Sequence, residues 1–137
     1  MLAGALILLA PGALGVPAAV LGASWSASSE QVAWVRRAAN NFVTAEIAGN
    51  GAGACAVLNA PLRATQHHRT CAQRWNARLA MLLREPHGRA RLRAEQRAIS
   101  AADVAIHADV AQIRLPAPLI SGANRFLWTE NCWMLEG

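Results

Sequence analysis

Three groups of side chains in this sequence combine residue types and spacings that chemistry can use. The first is His67-His68-Arg69-Thr70-Cys71. On a helix, His67 and Cys71 would share a face, and with Cys55 they would present the imidazole and thiolate ligands that suit zinc. Structural zinc sites ordinarily bring a close cysteine pair, and no C-x-x-C spacing occurs here. The competing reading is a disulfide between Cys55 and Cys71 with solvent-exposed histidines, on which neither metal nor cofactor is expected. The second group is Asp103, His107 and Asp109, which an extended strand would point to one side. A carboxylate beside a histidine can orient and charge the imidazole for general acid–base work. The polar face of an antiparallel strand is, however, ordinarily just solvated. No catalytic residue is therefore assigned, and Asp103 and His107 are the candidates if the chain is an enzyme. The third group is Arg84, Arg89, Arg91, Arg93 and Arg97, diluted only by Glu85 and Glu95. It would grip an anionic lipid or polymer through charge-assisted hydrogen bonds, or it is a solvated helix surface. Trp34, Trp75, Trp128 and Trp133 read as core or interface residues, where aromatic side chains concentrate. No G-x-S-x-G, H-E-x-x-H, P-loop or dinucleotide fingerprint is present, which removes the commoner motif-bearing enzyme classes.

The elements that must position these groups are marked by local signals. Ser28-Ser29-Glu30-Gln31 has the capping-box form, and Val35, Ala38, Ala39, Phe42, Val43 and Ile47 follow at helical spacing. That amphipathic helix should end at Gly49-Asn50-Gly51. A short helix from Ala52 to Leu58 should stop before Pro61. Thr70-Cys71-Ala72-Gln73 is a second capping box, with Trp75, Leu79, Leu82 and Leu83 continuing the pattern up to Glu85-Pro86-His87-Gly88. From Arg89 to Arg97 the residues alternate like a strand but are helix formers, and the segment is read as helix. Beyond Ile99, Val104 to His107 and Val110 to Leu115 read as a hairpin around Ala108-Asp109. Pro116, Pro118 and Gly122 mark a loop. Arg125 to Thr129 and Cys132 to Leu135 form a second hairpin through Glu130-Asn131. Helices first and antiparallel strands afterwards define an α+β domain with the helices on one sheet face.

Ahead of that domain, no charged side chain occurs before Glu30, and Leu2 to Ala23 is apolar throughout. Residues 1–29 are expected to be a signal peptide or membrane anchor with a Ser-rich exit, and residues 30–137 a single domain. Pro11 and Pro17 argue for the signal peptide. A secretory n-region should carry Lys or Arg, and its absence points to a start further upstream. If the segment is retained, Arg36 and Arg37 behind it set the orientation; a buried core helix is the third reading. Export agrees with the cysteines, because Cys55 and Cys71 would close a short loop and add about 3 kcal/mol by restricting the unfolded chain. Other pairings with Cys132, an intermolecular bridge, or three buried thiols are alternatives. All thirteen basic side chains are arginine against eight acids, a net charge of +5. Outside the cytoplasm such a charge favours envelope lipid, polymer or protein partners over nucleic acid.

The chain resembles small exported bacterial proteins with the cone-shaped fold of nuclear transport factor and its relatives. The likeness spans about residues 30–137. It rests on the long first helix from Val32 to Ile47, the Gly-Asn-Gly turn and the segment Ala54-Cys55-Ala56-Val57-Leu58. Cys71 opening the next helix and the terminal strand Cys132-Trp133-Met134-Leu135 complete it. The resemblance implies a curved antiparallel sheet wrapped round helices, with a cavity that some relatives use for catalysis and others for binding or dimerisation. No family active-site motif maps onto this sequence. The expected function is a non-enzymatic binding or interaction domain of the cell envelope, possible as a homodimer. The rival is a small cone-fold enzyme, isomerase-like or dehydratase-like, with His107 or Asp103 as general base.

Overall fold

Ser28 and Gln31 start the first helix by satisfying each other's backbone: Ser28 Oγ accepts from Gln31 N at 3.1 Å, and Gln31 Oε1 accepts from Ser28 N at 3.3 Å. The structure is a computed structural model that describes residues 27–115 and 124–136. The expected signal or anchor falls on residues 1–26, outside the described residues. Among those that are described, no helix is long and apolar enough to cross a membrane. Helix α1, Ser29–Ile47, buries Val35, Ala39, Phe42 and Val43 along one face. Gly49, at φ +68°, then takes the left-handed conformation that glycine adopts without a Cβ penalty.

Asn50 caps the short α2, Gly51–Cys55, accepting from Gly53 N at 2.9 Å. The helix expected as far as Leu58 stops at Cys55 because the last strand claims the backbone beyond it. Leu135 N donates to Val57 O at 2.8 Å, and Asn59 N donates to Leu135 O at 2.9 Å. Pro61 does not end helical structure here. It sits in the first turn of a further short helix, α3, Ala60–Arg63, where its missing N–H costs nothing. Thr70 and Gln73 repeat the capping box at the head of α4, Cys71–Leu82. The ambiguous arginine-rich stretch is helical: α5 runs Gly88–Ala101 and buries Leu92, Glu95 and Ile99.

Strands β1, Asp103–His107, β2, Val110–Arg114, β3, Arg125–Thr129, and β4, Cys132–Leu135, form one antiparallel sheet in the order β1-β2-β3-β4. Glu130 and Asn131 both have positive φ, 52° and 63°, as the tight hairpin turn matching strand twist requires. One face carries Ala111, Ile113, Phe126, Trp133 and Leu135 into the core. The other shows Asp103, His107, Gln112, Arg114 and Arg125 to solvent. Helix α1 packs on β1, β4 and α5, so the observed fold is α+β with the helices preceding the four-stranded sheet. Its core joins Phe42 and Val43 of α1 to Leu79, Leu92, Ile99, Ile113 and Phe126.

Candidate binding cleft

Trp34, Arg37, Ala38 and Asn41 lie at positions i, i+3, i+4 and i+7, one continuous row on α1 beside its core-facing stripe. The β3–β4 hairpin meets this row with Trp128, Asn131, Cys132, Trp133 and Met134, and Ala56 and Val57 complete the lining. Between them is a cleft of about 320 Å³. Its aromatic wall is ordered. Trp34 stacks on Trp128 with ring centroids 5.9 Å apart and planes 10° from parallel, and Trp133 meets Trp128 edge-on at 5.3 Å. Both geometries suit the indole quadrupole. Trp34 nevertheless remains 39% exposed.

The polar groups of the cleft are the Arg37 guanidinium and the side-chain amides of Asn41 and Asn131, all exposed. Together they supply a fixed positive charge, amide donors and amide acceptors. The Cys132 thiol, also exposed, rests 3.3 Å from Met134 Sδ and 3.4 Å from Thr129 O. The cleft lies near the lower end of the size range of small-ligand sites and combines apolar indole walls with a few polar groups.

The residues singled out by type and spacing stand elsewhere. Cys55 and Cys71 are joined in a disulfide, which consumes two of the three ligands a zinc site would need. His67 and His68 are not on the helix of Cys71. They occupy a tight turn, at φ 48° and 60°, closed by Gln66 N to Arg69 O at 3.1 Å and Arg69 N to Gln66 O at 2.9 Å. Among the described residues no cluster of three or more His, Cys, Asp or Glu can hold a metal.

Asp103 and His107 share the outer face of β1 and are exposed, whereas Asp109 belongs to the turn and not to the strand. Four strand residues place Asp103 and His107 about 13 Å apart within one chain, too far for a direct hydrogen bond. Neither lines the cleft. Arg89, Arg93 and Arg97 form a solvent-facing stripe on α5, opposite its buried Leu92 and Ile99. Arg91 stands to the side, 3.5 Å from Glu85, and Arg84 lies exposed after α4.

Two features were missed by motif reading. Arg37, Asn41 and Asn131 carry no motif; for the first two the heptad spacing from Trp34 to Asn41 outside the apolar stripe was the available signal. The other is Glu46, fully buried, whose spacing after Phe42 places it on the core side of α1. Burial first, and the charge of Glu95 second, push its carboxyl up to about 7, with Arg78 pulling the other way. Taken together, fold and cleft define an α+β domain with a tryptophan-lined surface cleft. Comparison with protein-family models, with curated proteins and with solved structures returns no match.

Proposed function

We propose that this chain is an exported, non-enzymatic binding module that holds a carboxylate-bearing glycan polymer of the cell envelope in its tryptophan-walled cleft. The observation that carries the reading is the convergence of Trp34, Trp128 and Trp133 with Arg37, Asn41 and Asn131 on one concavity. A sugar ring offers an apolar face to an indole, its hydroxyls pair with side-chain amides, and a carboxylate accepts the guanidinium's paired N–H groups. The same reading takes residues 1–29 as the export signal or anchor and the sheet as the curved wall of a cone-like domain. The Cys55–Cys71 disulfide is compatible with an oxidising, extracytoplasmic location. The solvent-facing stripe of Arg89, Arg93 and Arg97 gives the module a second, weaker attraction for anionic polymer or lipid.

Indole fluorescence reports the test directly. Titration with soluble acidic glycan fragments should give a saturable change, weakened about tenfold by Trp34→Ala or by Arg37→Ala, each equivalent to about 1.4 kcal/mol. Both positions are exposed, so the variants should keep the fold. Saturation by anionic lipid vesicles and not by glycan would replace the polymer with a membrane surface. Silence toward both would end the reading.

A further inference from the structure

We propose that two copies of this chain pair edge to edge through β1, in antiparallel register centred on Ala105, to make one continuous sheet. The two edges of the sheet are treated differently. Along β4, the backbone of Leu135 is bonded by Val57 and Asn59, so that edge is occupied at its C-terminal end. Along β1, no described residue outside β2 bonds the strand.

The outward-facing groups can be identified. Trp128 N donates to Asp109 O at 2.7 Å and Ile113 N donates to Asn124 O at 2.7 Å, so these positions face away from β1. By the alternation of an antiparallel ladder, Val110, Gln112 and Arg114 then bond β1 through their partners His107, Ala105 and Asp103. Val104 and Ile106 are left with N–H and C=O on the edge that no described residue bonds. The strand has no proline, no bulge and no charge at its centre, three of the features that guard an edge against pairing.

A two-fold through Ala105 sets Val104 of each copy opposite Ile106 of the other, in the narrow pairs that exchange both backbone bonds. It simultaneously sets Asp103 of each copy opposite His107 of the other. On a sheet face a directly opposite carboxylate can accept an imidazole N–H, and the branched apolar pair stabilises the same contact. Val104 and Ile106, half-buried in one chain, would be covered by each other. The small side chain of Ala105 allows the close approach of the wide pair at the axis. The strand is thus complementary to itself in backbone hydrogen bonding, shape and polar pairing, which selects a second copy as its occupant.

The test uses the whole chain in a dilution series by native mass spectrometry and sedimentation. Concentration-dependent dimers are expected, with amide exchange at Val104 and Ile106 slowing as dimer forms. Asp103→Lys alone and His107→Glu alone should each weaken dimerisation about tenfold, and the double substitution should restore it, because a carboxylate and a hydrogen-bond donor again stand opposite each other. Both sites are solvent-exposed, so folding is not at stake. A monomer at every concentration would overturn the proposal. So would a dimer abolished by Cys132→Ser or by reductant, which would be a disulfide dimer, or one in which the double substitution restores nothing.

Discussion

Glu46 shows how one residue can set a pH limit on a fold. Its carboxyl is fully buried on α1 with neither oxygen hydrogen-bonded, and Glu95 of α5 is buried beside it. An ionised carboxylate is costly in such a place, and the second acid raises the cost. The pKa moves from 4.5 in the unfolded chain to about 7 in the folded one. Between those values the native state therefore binds the extra proton, so stability falls as pH rises. It is complete below pH 4.5 and the loss is finished once pH passes about 7, at an expected total of about 3 kcal/mol. Urea midpoints at pH 4.5 and pH 8 check this, and Glu46→Gln should flatten the slope between them. An unchanged slope in that variant would assign the pH dependence to another group.

At the scale of elements, α2 and α4 come so close that a β-carbon cannot fit between them. Gly51 N donates to Asn76 Oδ1 at 2.8 Å, and an added Cβ at Gly51 would lie 2.7 Å from Ala72 O and 2.8 Å from Asn76 N. Backbone is the obstacle, so the helices themselves must part. Gly51→Ala should cost about 1–3 kcal/mol, read as a lowered denaturation midpoint with an unchanged denaturant slope. This contact was invisible in the sequence, where Gly51 is simply a turn residue. What could be read there was what neighbours along the chain decide. Ser28 with Gln31 and Thr70 with Gln73 announce helix starts because capping is settled within three residues. Both hairpins were legible for the same reason. Leu58 was misplaced in a helix because its fate depends on Leu135, far along the chain. The cleft failed to show itself likewise: Trp34 and Trp128 meet only after α1 has docked on the sheet. His67 and His68 drew attention through their ligand chemistry, but a turn with two left-handed residues decided their position.

For the molecule as a whole, the Cys55–Cys71 disulfide joins the end of α2 to the start of α4 and closes a loop of 16 residues of separation. That loop holds α3, the histidine turn and little core: only Leu58 and Asn59 between the two cysteines are buried. Arg74 gathers the loop by donating to the carbonyls of Leu62 at 2.7 Å, Ala64 at 2.8 Å and Arg69 at 3.2 Å. A segment held by polar bonds and one covalent link depends on that link, because hydrogen bonds facing water contribute little net stability. The loss on removing it should be about 3 kcal/mol in chain entropy, a fall in melting temperature of roughly 10 °C or more for a domain of this size. The consequence extends to the cleft, since Ala56 and Val57 line it and follow directly on Cys55. Cys55→Ser with Cys71→Ser should therefore lower thermal stability and also weaken the indole fluorescence response to ligand at a temperature where the variant is still folded. If stability falls while that response stays intact, the disulfide braces the fold without shaping the cleft. If neither changes, Arg74 and the β4 contacts of Val57 hold the loop by themselves.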